Sequence, residues 1–280
     1  MRRRKRERRS HKAGQPRPQR RRLGRTAAAL AVLAFLAAAL AAGLLLRGLI
    51  TTGPSGPKTA AIVDQLSLTQ PNPDFAASAT RLLEQAGYTV DYFAGEQVTV
   101  DLYRNLPTHD YDLIILRVHS GIVVQRDAAT GQKTKTEYVG LFTGEPYSET
   151  KYLQEQVGRL VGRLGAGSYY EGGPRVFSIG PQYVQDSMRG RFDDTLIVMM
   201  GCDGLRSQRT AQAFLDKGAS AFVSWSQPVS ASHTDAATLR LLEKLLLDGL
   251  TVGDAVAQTA AEVGPDPFYG AELRVLQAGD

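Results

Sequence analysis

Apolar positions along this chain fall into two alternating patterns, short unbroken runs and runs of helical period. Ala60 to Asp64 (AAIVD) predicts a strand. From Phe75 to Ala86 the apolar residues Phe75, Ala79, Leu82, Leu83 and Ala86 share one helical face, and Gly87 follows as a stop signal. Thr89–Phe93 predicts a second strand and Val98–Leu106 a short helix. Asp112–Val118 (DLIILRV) is almost wholly apolar, as expected of a central strand covered on both faces; Leu196–Met200 and Ala221–Trp225 are two more such runs. A helix over Arg209–Asp216 lies between those two. Helices over Ala236–Leu247 and Val252–Val263 come next, and Leu273–Leu276 predicts a last strand. Alternation of strand and helix predicts an α/β fold of three layers, with a mostly parallel central sheet between helices.

One stretch, about 122–192, departs from this rhythm. Ile122–Gln125 and Glu137–Phe142 predict a hairpin around Ala129-Thr130-Gly131, Ser148–Leu164 a helix, and Gly165–Gly173 an irregular segment rich in Gly and Tyr. An insertion of this kind is expected over the carboxyl edge of the sheet, within one domain spanning 59–280.

Ahead of that domain the pattern is of another sort. Thr26 to Leu46 is a run of 21 uncharged residues, ended by Arg47. As a helix it would be roughly 31 Å long, the thickness of a bilayer's hydrocarbon core. Charge changes the picture here. Of the 33 basic residues, 13 stand in residues 1–25 beside a single Glu, so a net charge of +5 divides into a tail of +12 and a remainder of −7. The expectation is a disordered basic tail over 1–25, an uncleaved transmembrane helix over 26–46 and a linker over 47–58. The basic flank would stay in the cytoplasm, leaving residues 59–280 outside the cell membrane. Anionic lipid headgroups are then the expected partner of the tail. A nucleic-acid partner is not expected, since the body carries no basic stripe. GPSGPKT, residues 53–59, lacks the Gly-Lys adjacency of a phosphate loop and precedes a strand, so it is set aside.

A single cysteine among 280 residues excludes disulfides within the chain and any zinc site built from several thiolates. The four histidines are scattered and no acidic run has calcium-loop spacing, so neither a metal nor a cofactor is expected. No G-x-S-x-G occurs, which disfavours a serine hydrolase. What remains is two central strands that end in reactive side chains: Leu116-Arg117-Val118-His119-Ser120-Gly121, and Val198-Met199-Met200-Gly201-Cys202-Asp203-Gly204. Catalytic groups of open α/β sheets stand at such carboxyl ends. His119 would take the proton of the Cys202 thiol, the sulfur would attack a peptide carbonyl, and the amides of Cys202 and Gly121 would hold the oxyanion.

These motifs resemble those of the caspase-like (clan CD) cysteine peptidases, closest to gingipain and CHAT-type domains. In that fold a His follows one central strand and a Cys the next. AQAFLDKGASAFVSWSQPVS, Ala211 to Ser230, resembles the family's helix, Gly-Ala turn and following strand. LLEKLLLDGLTVGDAVAQT, Leu241 to Thr259, resembles its last helices. The resemblance implies a caspase-like sandwich and a cysteine-type peptidase acting on a peptide or protein substrate. It implies substrate pairing along Ser224, Trp225 and Ser226. Ser226 stands where caspases carry an arginine, so a preference for aspartate at the cleavage position is not implied. The extra Ser120 between His119 and Gly121 suits an alternative, a non-catalytic module of the same fold that binds a peptide or protein at the cell surface.

Lesser candidates are Asp203, as the acid of a pocket for a basic side chain or as a turn residue, and Asp64, as a cap or loop acid. His233 is a loop histidine that would rim a pocket. Tyr169, Tyr170 and Tyr183 would line a groove or pack locally.

Overall fold

The computed structural model of the chain describes residues 56–126, 130–157 and 162–279. The expected tail and membrane helix, and most of the linker, lie outside the described residues. Among the described residues no helix is long and apolar enough to cross a membrane.

The fold is α/β and is organised by a six-stranded sheet. Its strands are β1 (Lys58–Asp64), β2 (Tyr88–Ala94), β3 (Leu113–Arg117), β8 (Leu196–Met199), β9 (Ala221–Trp225) and β10 (Leu273–Gln277), in the order β10-β9-β8-β3-β1-β2. Five run parallel and β10 closes one edge antiparallel. The inner strands β3, β8 and β9 are buried at every residue, which is why their sequences are apolar save at Arg117 and Ser224. At the edges, β2 exposes Thr89 and Asp91, and β10 exposes Arg274 and Gln277.

Helices cover both faces. On one, α1 (Pro73–Gln85), α6 (Ala231–Leu246) and α7 (Val252–Val263) bury Phe75, Leu83, Leu241, Leu242 and Val256 against Ile62, Ile115 and Val198. On the other, α2 (Val100–Asn105), α4 (Pro181–Asp186) and α5 (Gln208–Asp216) bury Tyr103, Tyr183 and Phe214 against Ile114, Ile197 and Phe222. Burial of each such side chain stabilises by about 1.5–3 kcal/mol. Starts are capped locally: the side chains of Asn72, Thr99 and Thr251 accept the amides of Phe75, Leu102 and Asp254.

The stretch expected as an insertion builds a second, antiparallel sheet in the order β4-β5-β7-β6, from β4 (Ser120–Arg126), β5 (Lys133–Pro146), β6 (Leu164–Ser168) and β7 (Arg175–Ile179). The hairpin expectation holds for β4 and β5. Two others do not. Of the helix expected over Ser148–Leu164, the described residues form α3 (Leu153–Gln156), whose start is set by the left-handed backbone of Tyr152 (φ 51°), and Leu164 belongs to β6. Residues expected to be irregular from Gly165 include most of β6, where Gly167 leaves room for the ring of Phe142 to lie against the strand.

Candidate active site

β3 and β8 are hydrogen-bonded neighbours, so the residues that follow them emerge side by side at the carboxyl edge of the sheet. His119 and Cys202 line one cavity of about 350 Å³ at this edge, with Leu66, Val118, Met200 and Val229 among its walls.

The loop that carries Cys202 is fixed by backbone geometry. A Cβ on Gly201 would collide with Ser120 Oγ and the Val118 carbonyl, so only glycine lets β8 turn there. Asp203 takes a left-handed conformation (φ 63°), which Asp tolerates better than most residues. The chain then runs beside the continuation of β9, with the Asp203 amide donating to Gln227 O (3.1 Å) and that of Leu205 to Trp225 O (2.9 Å). The Ser120 hydroxyl, directly after His119, donates to Cys202 O at 2.7 Å. The added serine of His-Ser-Gly therefore fastens the two loops together.

Each reactive group has its own surroundings. The Cys202 sulfur sits against Val229, 3.5 Å from its amide and 3.7 Å from its carbonyl. Burial pushes the thiol above its ordinary pKa, against which the Val229 backbone acts. Among the described residues the amide of Cys202 donates to no other residue, and it acts on its own sulfur. The His119 ring stacks on Tyr169, with centroids 5.0 Å apart at 23°. Its Nε2 lies 2.8 Å from Thr69 Oγ1, and its backbone amide donates to Gln65 Oε1 at 2.9 Å. Burial, reinforced by the nearby charge of Arg117, pushes the imidazole pKa down to about 4. At neutral pH both groups are therefore uncharged, and the site holds a thiol and an imidazole with no preformed ion pair.

Beneath His119 lies a buried ionic network. Arg117, 1% exposed, donates from Nη1 to Asp64 Oδ1 (2.8 Å), from Nε and Nη2 to Asp235 (2.8 and 2.9 Å), and from Nη2 also to Gln70 O (2.9 Å). It anchors the segment after β1 that supplies Gln65 and Thr69. Sequence reading missed Gln65, Thr69 and Asp235 as a set, since they come together only through the sheet order. The one local signal was Arg117 itself, a cation inside an apolar run.

The other predicted residues are placed differently. Gly121 pairs with Gly140 across β4 and β5 and lines a groove with Asp203, not the cavity of Cys202. Asp203 pairs with Arg206 at 3.3 Å in that groove. Ser224 (0%), Trp225 (1%) and Ser226 (8%) are buried. Their strand is flanked by β8 and the Cys202 loop on one side and by β10 and Glu272 on the other; the Ser226 amide, for instance, donates to Glu272 O at 3.0 Å. The pairing positions expected to receive a substrate backbone are taken by the chain itself. Ser224 Oγ instead donates to Met199 O (2.7 Å), and Trp225 Nε1 to Thr234 Oγ1 (2.8 Å). Asp64 caps the 3-10 turn Gln65–Leu68 as well as binding Arg117. Tyr183 is a core residue, Tyr170 is exposed, and His233 packs on Trp225. Among the described residues no cluster of His, Cys, Asp or Glu is arranged to hold a metal ion.

No family model matches the chain. No curated protein matches it either.

Proposed function

We propose that this chain is a membrane-anchored cysteine endopeptidase of the caspase-like fold, in which Cys202 is the nucleophile and His119 the general base. One observation carries the reading: His119 and Cys202 stand at the carboxyl ends of adjacent parallel strands and line the same cavity. The layered sheet supports the caspase-like sandwich, as does the order His then Cys on successive central strands.

Chemistry follows from the neutral pair. The bond between His119 Nε2 and Thr69 forms in either tautomer. When Nε2–H donates to Oγ1, the lone pair of Nδ1 is left to accept the thiol proton. The sulfur attacks the peptide carbonyl, the carbonyl π electrons move onto oxygen, and the Cys202 amide N–H donates a hydrogen bond to the oxyanion that results. Collapse breaks the C–N bond, and the imidazolium gives its proton to the departing amine. Water, deprotonated by the same imidazole, then attacks the thioester and releases the acid and the thiol.

The 21-residue apolar run and the basic tail before it support a single-pass anchor, with the N-terminus in the cytoplasm and residues 59–280 outside. Anionic headgroups are the tail's proposed partner and a peptide or protein is the substrate. A second reading, a peptide-binding module without activity, is favoured by the seating of the Cys202 sulfur against Val229 and of the His119 ring against Thr69 and Tyr169.

Labelling of the full-length chain with electrophilic peptide probes separates the two. The peptidase reading expects labelling that is lost in Cys202→Ala and slowed about a hundredfold in His119→Ala. Labelling that survives Cys202→Ala removes Cys202 as nucleophile. An unlabelled wild type that still binds the same peptides reversibly establishes the binding module.

A further inference from the structure

We propose that the cavity beside Cys202 takes an uncharged substrate side chain, so that cleavage follows neutral residues and neither acidic nor basic ones. This rests on the peptidase reading above, and it is argued from where the charges around the cavity are spent.

Three carboxylates and one guanidinium lie near the cavity, and each is consumed by the fold. Asp64 accepts from Arg117 (2.8 Å), Ser67 N (3.0 Å) and Tyr92 Oη (2.8 Å). Asp235 accepts from Arg117 and from Asn72 Nδ2 (2.8 Å). Asp266, 2% exposed, accepts from Ser230 N (2.9 Å), Ser230 Oγ (2.5 Å), Phe268 N (2.9 Å) and Tyr269 N (2.8 Å). Arg117 gives Nε, Nη1 and Nη2 to these acids and to Gln70 O. Asp203, next in sequence to the nucleophile, faces the separate groove and pairs there with Arg206.

What faces the cavity is therefore uncharged. Among the described residues its walls are apolar at Leu66, Val118, Met200, Pro228, Val229 and Ala231, with neutral polar groups at Gln70, Ser230 and Tyr269, of which Ser230 spends its hydroxyl on Asp266. Thr234 also lines it, but its hydroxyl already donates to Met200 O and accepts from Trp225. An ionised side chain entering this space loses water and meets opposite charge only at a distance, from Asp203 and Asp266 for a cation and from Arg117 for an anion, each already paired, so that little of the desolvation is recovered. A neutral side chain meets apolar walls and loses nothing comparable.

The test uses the full-length protein and two series of reagents. In the first, peptide probes carry Ala, Leu, Met, Phe, Asn, Asp, Glu, Lys or Arg next to the electrophile. Labelling of Cys202 is expected about tenfold or more faster for the neutral set. Fastest labelling by the Asp and Glu probes, or by the Lys and Arg probes, overturns the proposal. Ala231→Asp, which places a carboxylate in the cavity wall at the start of α6, is expected to shift the preference toward Lys and Arg. In the second, ethyl, sulfonatoethyl and trimethylammonioethyl methanethiosulfonates compare neutral, anionic and cationic reagents on the same thiol, normalised to a free cysteine peptide. Suppression of both charged reagents is expected, and acceleration of either overturns the neutral cavity. Inert peptide probes beside a neutral-selective thiol would refute the peptidase reading alone, leaving the character of the cavity established.

Discussion

Arg117 grips both carboxylate oxygens of Asp235, Nε to Oδ1 at 2.8 Å and Nη2 to Oδ2 at 2.9 Å, across 118 residues of sequence. The pair joins the tip of β3 to α6. Its third partner, Asp64, ties in the end of β1 at the same point. Removal of either acid leaves a guanidinium short of charge in a site that water does not reach. Asp235→Ala is expected to lower stability by about 3–5 kcal/mol, read from denaturant midpoints. Arg117→Lys is expected to fall well below wild type too, because an ammonium cannot reproduce the planar fork. A Lys variant as stable as wild type would show that the fork geometry is not what matters.

The depressed imidazole predicts a pH dependence with a definite sign. An unfolded His119 takes up its proton near pH 6.5, whereas the folded ring does so only near 4. Between those values the unfolded chain binds more protons, so the contribution of His119 is full above pH 6.5, is lost as pH falls toward 4, and changes no further below that. Denaturation from pH 8 to 4 is expected to show a shallower loss for His119→Gln than for wild type. Equal slopes would mean that the buried ring is not the group being titrated.

The thiol makes a matching prediction. Burial holds it above its ordinary value, so alkylation of Cys202 by iodoacetamide should keep rising with pH past about 8.5, the value of a free cysteine. A rate plateau already reached near pH 6 would reveal a thiolate–imidazolium pair in place of the neutral one.

Gly201 is expected to tolerate no side chain. In Gly201→Ala the new methyl meets Ser120 Oγ and the Val118 carbonyl, and one of these is backbone that cannot swing aside. A loss of about 1–3 kcal/mol follows, measurable as a lowered Tm. Gly253→Ala in the first turn of α7 is the control, where the nearest atom is the end of Gln277 at 3.8 Å. There the methyl is expected to be neutral or to stabilise by up to about 1 kcal/mol.

The proposed anchor predicts an orientation. Protease added to intact cells is expected to degrade residues 59–280 while an epitope on residues 1–25 stays protected. Protection of the body in sealed cells would reverse the orientation.

Much of the central sheet was legible because each inner strand is buried on both faces and so writes itself as an apolar run. Ala221–Trp225 and Val252–Val263 begin and end where the periodicity places them. The second sheet was harder to read. β6 is LGAGS, with little of the β-branched or aromatic content that marks a strand, and its form depends on pairing with β7 and on the ring of Phe142. At the site, His119 and Cys202 were visible because each ends a buried strand. Thr69 and Tyr169, which hold the imidazole, and Gln65, which holds the His119 amide, arrive from the segment after β1 and from the segment after β6, and no local spacing links them to position 119. The role expected of Ser224, Trp225 and Ser226 fails for a related reason: sequence shows a strand but not that both its edges are occupied.

The bond from Ser120 Oγ to Cys202 O has a mechanical meaning. Ser120 is the first residue of β4, so the antiparallel hairpin begins at the clasp between the two loops. A pull along that hairpin is shared between this bond and the two residues, Val118 and His119, that join β4 to β3, so it reaches the backbone of residue 202 as well as the central sheet. The hairpin and the loop that carries Cys202 are thus mechanically coupled at that residue's carbonyl.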